Sequence, residues 1–284
     1  MQTKSKKPYD HILAKLPQQH AGVIAEIIEE AQDPYKTLFM QCCKRIRVLG
    51  IKGVLGTGKG RAMSLPVLGL WIDADLKGEI SVGDRVIPTW YSVLFHEIGH
   101  GVDYITRPYR AAQVNDAIQK DVKTTLLRLA KDIDSSRAQQ IADLTISGGD
   151  NGDKELTEEW MKQIKTSFKK ETSAAKGKGT ARQFGYYATS GISDIFGGVT
   201  GNRCMDTHSH PKIYWSWFMR LLGISPALEM FAETFSDGML GFKARSQLQQ
   251  TYLPSADKLL TDGSVKDPQG AIWKAYNKVT KGKN

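Results

Sequence analysis

Cysteine is scarce in this chain, with 3 in 284 residues. Cys42 and Cys43 are adjacent and Cys204 is far away, so the sequence offers neither a disulfide framework nor a CxxC zinc knuckle. Buried free thiols are the expectation, as in a reducing compartment. Long apolar runs are also missing. None reaches the roughly 20 residues that cross a bilayer, and the most apolar stretch, Leu65 to Ile72, has the length of a strand. The sequence therefore has no membrane span. Its basic start, Met1-Gln-Thr-Lys-Ser-Lys-Lys-Pro8, continues into Tyr9-Asp10-His11 rather than an apolar core, so no signal peptide is read and a cytoplasmic location is expected. Acidic residues are in deficit, 30 against 39 Lys and Arg, which leaves a net charge of +9. Such an excess permits a nucleic-acid partner without requiring one.

What the chain does have is enough apolar residue, 40% of the total, to bury a sizeable core. Apolar positions recur at helical spacing from Pro8 to Cys43, at Val23, Ile27 and Ile28 and then, after a break at Asp33-Pro34, at Leu38, Phe39 and Cys42. This predicts two helices. Arg45 to Leu49 and Leu65 to Ile72 read as strands flanking the glycine-rich stretch Gly50 to Gly60. Within that stretch Gly53 to Gly60 satisfies GxxxxGK, yet Gly60 stands where a P-loop needs Ser or Thr, and a strand rather than a helix should follow. We read it as a turn.

Helical spacing returns at Trp90 to Ile105. Residues 107–182 read as a helical, lysine-rich insertion: Ile118, Val122, Leu126, Leu129 and Ile133 trace one helix face, and Trp160, Ile164 and Phe168 trace another. The second helix carries Lys162, Lys165 and Lys169 on its other side, and Glu171 to Thr180 has linker composition. From Lys154 to Arg182 there are eight basic and four acidic residues. Their aromatics sit on the apolar face rather than among the charges, so a solvated helix face is expected, and nucleic-acid contact has no specific support.

The sharpest motif is His96-Glu97-Ile98-Gly99-His100, an HExxH. Imidazoles at i and i+4 project from one helix face and can reach a single Zn2+ ion, while Glu97 on the adjacent flank can face a metal-bound water. Gly99 permits close approach of another element. Asp103, one turn past His100, can orient an imidazole. A catalytic zinc needs a third protein ligand, and the metzincin histidine is absent because Tyr104, Ile105 and Thr106 follow. The candidates are Asp194, Asp206, His208, His210, Glu229 and Glu233. Glu233 has the best context, in Glu229-Met-Phe-Ala-Glu233-Thr-Phe-Ser-Asp237, where acids at i, i+4 and i+8 share a face and Asp237 can support a histidine ligand. Glu229 is its main rival.

HExxH followed by a distant ExxxD resembles the gluzincin metallopeptidases, and Phe231-Ala232-Glu233 in an aromatic helix is similar to their lethal-factor-like branch. Gly191-Ile-Ser-Asp-Ile-Phe-Gly-Gly-Val-Thr200, His210-Pro-Lys-Ile-Tyr214-Trp215 and the Glu229–Glu233 helix resemble a zincin-like domain of phage minor-head and head-morphogenesis (Mu F-like) proteins and of mobile-element proteins. The resemblance covers roughly residues 85 to 260. It implies an α+β zincin-type fold, with a small mixed sheet packed on the HExxH helix, in a single domain over 1–284 that the 107–182 insertion interrupts. It also implies a zinc metalloendopeptidase acting on a protein or peptide substrate, with His96, His100 and Glu233 as ligands and Glu97 activating the water. His210 or Tyr214 would donate to the oxyanion, and the strand at Leu65 to Ile72 would offer an edge to extended peptide. The alternative is a phage head or virion component with an architectural or inactive zinc site. Host cytoplasm or virion is the implied location, with phage head components as partners.

Overall fold

The computed structural model describes residues 7–46, 48–50, 63–65, 69–71, 79–82, 85–106, 111–149, 151–174, 181–205, 210, 212–215 and 225–281. The GxxxxGK stretch, Asp206 and His208 lie outside these residues. Among the described residues helices dominate and short strands are confined to residues 48–88, which makes the class α+β. Chain contacts divide the molecule into two compact units, the first Met1–Tyr109, Phe231–Lys243 and Leu260–Asn284, the second Arg110–Met230 and Ala244–Leu259.

In the first unit, α2 (Gln18–Glu30) and α3 (Tyr35–Cys42) are the two predicted helices, and a further short helix, α1 (Asp10–Leu13), precedes them. Ile24, Ile27 and Ile28 of α2 and Leu38, Phe39 and Cys42 of α3 are buried, whereas Val23 falls off the apolar face and is exposed. Lys7 and Tyr9 tie the start of the unit to Glu29, whose carboxylate accepts from both at 2.6 Å.

The expected strand at 45–49 begins late. Cys43–Arg45 form a 3-10 turn and β1 is Val48–Gly50. The run Leu65 to Ile72 is not one strand. It supplies the end of β2 (Met63–Leu65) and all of β3 (Gly69–Trp71), which pair antiparallel with Leu65 opposite Gly69. β1 joins β3 in parallel, so the sheet is mixed with order β1-β3-β2. Among the described residues β3 is therefore the interior strand, and β1 and β2 are the edges. A second antiparallel pair, β4 (Glu79–Val82) and β5 (Arg85–Pro88), leads directly into α4 (Thr89–Thr106). β2 lies against α4, and a C-terminal helix, α12 (Ala271–Lys281), packs on both α3 and α4.

The second unit is helical. α5 (Ala111–Ile133) buries Ile118, Val122, Leu126 and Leu129, the face that the spacing predicted, each burial contributing about 1.5–3 kcal/mol. α6 (Ala138–Ser147) and α7 (Lys154–Ala174) pack on it. Trp160, Ile164 and Phe168 of α7 are buried, while Lys162, Lys165 and Lys169 are exposed. The lysine-rich helix thus turns its charges to solvent, as its spacing predicts. α6 ends at Gly148, whose φ of +76° closes the helix in the left-handed region. The Arg203 guanidinium donates to the carbonyls of Thr145, at 2.7 Å, and Ile146, capping the same end.

α8 (Ala181–Thr200) carries the ISDI stretch, with Ile192, Ser193, Asp194, Ile195 and Phe196 all buried. α9 (Pro226–Leu240) begins in this unit and continues into the first, the division falling after Met230. The Asn115 side chain on α5 accepts from the N–H of Ala227 at 3.1 Å, capping the start of α9. Asp121 does the same for α11 (Pro254–Thr261), accepting from Ser255 and Ala256 at 2.8 and 3.0 Å. α10 (Lys243–Tyr252) precedes it, and Tyr252 packs edge-on against Phe168.

Candidate metal centre

α4 is amphipathic in the sense that the motif demands. Trp90, Leu94, Phe95, Ile98 and Val102 are buried, so the helix is held on its apolar side while His96 and His100, both partly exposed, project together. Their Nε2 atoms face each other at 3.1 Å, with ring centroids 4.7 Å apart and planes perpendicular. Two nitrogens bound to one zinc at 2.0–2.1 Å with a tetrahedral angle lie about 3.3 Å apart. The imidazole pair is thus already spaced for a single ion. Glu97 is on the same helix and only 8% exposed.

Gly99 explains how α4 meets its neighbour. A Cβ at this position would lie 2.9 Å from the Cα of Ala232 and 3.1 Å from its carbonyl oxygen. The backbones of α4 and α9 therefore touch where no side chain fits, as the sequence reading of Gly99 anticipates. Ser236 adds a bond from α9, its hydroxyl donating to the Ser92 carbonyl at 3.0 Å.

This contact brings Glu233 to His96, but on the far side of the ring. Glu233 Oε1 is 3.3 Å from His96 Nδ1, and both side chains are largely buried. Nδ1 is the nitrogen opposite the one that faces His100. A carboxylate there accepts the Nδ1 proton and leaves the lone pair on Nε2, which is how a metal-bound histidine is commonly oriented. Asp237, one turn further along α9, is buried, and Asp103 lies partly exposed on α4. Glu229 stands one turn before Glu233 on the same helix and is 1% exposed. Because α9 is continuous, the two glutamates share a face.

The second unit gathers another polar group. Asp194 accepts from the backbone N–H of His210 and from its Nδ1, both at 2.6 Å. The His210 ring stacks on Tyr214 with centroids 3.8 Å apart and planes 13° from parallel. Tyr214 donates its hydroxyl to Glu229 Oε1. Asp194, His210 and Glu229 have ligand-type atoms within 4.8 Å of one another. The 2.6 Å between Asp194 and His210 is nevertheless shorter than two ligands of one ion adopt, and is the length of a charge-assisted hydrogen bond.

Candidate metal-binding groups thus exist among the described residues, and His96 and His100 belong to one of them. Two imidazoles with a nearby carboxylate are a donor set that zinc takes readily. Sequence reasoning selected all of these residues, but it listed Asp194 only as a ligand candidate and Tyr214 only as an oxyanion donor. It missed that Asp194 grips His210 and that Tyr214 grips Glu229. Spacings of 16 and 15 residues across loops carry no periodic signal. All three cysteines are free and buried, and no helix among the described residues is long and apolar enough to cross a membrane. Compared with protein-family models, curated proteins and solved structures, the chain matches none.

Proposed function

We propose that this protein is a zinc-dependent peptidase of gluzincin type, with a zincin-like fold, in which His96, His100 and a glutamate of α9 hold the metal. The observation that carries the reading is the convergence of the two Nε2 atoms at 3.1 Å on a helix whose neighbour holds His96 by its other nitrogen. Glu233 lies 3.3 Å from His96 Nδ1, where it supports the ring.

Zinc held by this donor set supplies a Lewis acid that polarises a scissile carbonyl and acidifies water. Glu97, buried beside the histidines in sequence, accepts the proton of the attacking water and returns it to the leaving amine. Glu233 fixes the tautomer and rotation of His96. His210, held at Nδ1 by Asp194, is our candidate for donating to the developing oxyanion, whereas the hydroxyl of Tyr214 is committed to Glu229.

Elemental analysis of purified protein should give about one zinc per chain, and His96→Ala should remove it. Retention of full zinc by His96→Ala would end this reading. The phage association rests on the ISDI, HxxxYW and FAE stretches, and a search for the protein in purified particles tests it.

A further inference from the structure

The second unit holds a cavity of about 410 Å3, lined by α5, α7, the end of α10 and the first residue of α11. That volume is in the range of small-molecule sites. From α5 come Asp121, Thr125 and Arg128, which share one stripe of the helix at i, i+4 and i+7. Asp121 is 5% exposed. Its Oδ2 is occupied by the N–H groups of Ser255 and Ala256, whereas no donor among the described residues reaches Oδ1. Thr125, one turn on, is buried as well, and its hydroxyl has no hydrogen-bond partner among the described residues. Seven residues of helix span about 10 Å, so Arg128 stands at the other end of the cavity. There it donates to Glu171 of α7 through both terminal nitrogens, at 2.6 Å for Nη2. This pairing holds the Glu171 carboxyl below its ordinary range. The Tyr252 hydroxyl reaches the same carboxylate at 3.5 Å.

We propose that this cavity binds a small primary amine as its ammonium ion, the nitrogen held by Asp121 Oδ1 and the Thr125 hydroxyl and the apolar stem running past Tyr252 towards the Arg128–Glu171 pair. Charge selects the sign of the ligand. Arg128 and Glu171 neutralise each other, so the charge left in the lining is that of Asp121, a buried carboxylate with one oxygen lacking a protein donor. Burying such a charge is costly, and a cation beside it offsets the cost. The two N–H bonds at Oδ2 fix the carboxylate before any ligand arrives, which leaves little to order on binding. Hydrogen bonding selects the kind of cation. A primary ammonium has three N–H donors for the two acceptors on α5. A quaternary ammonium has none and relies on a cage of aromatic faces, whereas Tyr252 is the one aromatic ring among the described lining residues. A metal ion is disfavoured too, because among the described residues Asp121 and Glu171 belong to neither group whose ligand atoms lie within 4.8 Å of one another.

The test is binding of n-hexylammonium to the full chain, followed by saturation-transfer NMR and titration calorimetry, with tetramethylammonium and hexanoate as comparisons. Hexylammonium should bind, and each comparison should bind at least about tenfold more weakly, the loss of one hydrogen bond to a charged group. Asp121→Asn keeps an oxygen to cap α11 and removes the charge, and it should weaken hexylammonium binding about 10- to 100-fold. Thr125→Val keeps the shape and deletes the hydroxyl, for a smaller loss of about fivefold. Should Asp121→Asn fail to fold, Thr125→Val is read by the same titration. Hexanoate or tetramethylammonium binding as tightly as hexylammonium, or no binding of hexylammonium to the wild-type protein, would overturn the proposal. Wild-type affinity in folded Asp121→Asn, or in Thr125→Val where that variant stands in for it, would overturn it as well.

Discussion

Glu233 approaches His96 at Nδ1, 3.3 Å away, and not at the nitrogen that faces His100. Glu233→Gln keeps an oxygen that can accept from Nδ1 and should lower zinc affinity by about tenfold, at the mild end for such orienting groups. Chelator competition against the wild-type protein checks it, and complete loss of zinc by Glu233→Gln would mark Glu233 as a ligand instead.

Glu97→Gln separates binding from turnover. The amide cannot accept the water proton, so cleavage of a peptide library should fall by about 100- to 10,000-fold, the range for losing a general base. Zinc content should stay at the wild-type level. Cleavage at the wild-type rate would remove Glu97 from the chemistry.

The contact between Gly99 and Ala232 predicts an unusual sensitivity to a methyl group. In Gly99→Ala the new Cβ meets backbone atoms at 2.9 and 3.1 Å, which do not rotate away. The helices must separate, at about 1–3 kcal/mol, and urea denaturation should show it. The same separation draws Glu233 from His96, so zinc affinity should drop as well. Gly22, whose Cβ would meet nothing within 4 Å, is the control position, where alanine should be tolerated in both assays.

The thiols give a pH prediction. Burial pushes Cys42 up to about 12 and Cys43 up to about 11 and raises Cys204 further. At pH 8 the folded protein should resist alkylation at all three, and each should react once denaturant exposes it. Because the folded state holds these protons more tightly than the unfolded chain, whose thiols titrate near 9.0, their effect on stability is flat below that value. Stability should then decline as pH rises through 9 towards 11. Urea midpoints across this range measure it, and a flat profile would show that the thiols are accessible.

Helices were the legible part of this chain, because burial on one face leaves a period in the sequence: Ile118 to Leu129 and Trp160 to Phe168 are buried as their spacing implies. The histidine pair was legible for the same reason, since four residues make one turn. Leu65 to Ile72 misled because an apolar run of strand composition does not reveal that it is shared between two strands. The choice between the two glutamates of α9 was ambiguous for a deeper reason. Glu229 and Glu233 are equivalent by period, and only the packing of α9 against α4 through Gly99 determines which of them meets Nδ1. The pairs Asp194–His210 and Tyr214–Glu229 depend on loop paths, which leave no periodic trace.

The first unit is assembled from three separate stretches of chain, with residues 110–230 and 244–259 lying between them in sequence. α12 covers α3 and α4, and Lys278 donates to the carbonyl of Thr106 at 2.6 Å, closing the end of the histidine-bearing helix. At a ribosome's pace the HExxH helix is finished roughly 10 to 35 s before α12 emerges. Throughout that interval its apolar face lacks α12, and for most of it α9 as well. The surroundings of the two histidines are thus among the last parts of the protein to be completed during synthesis, although both histidines lie in the first half of the chain.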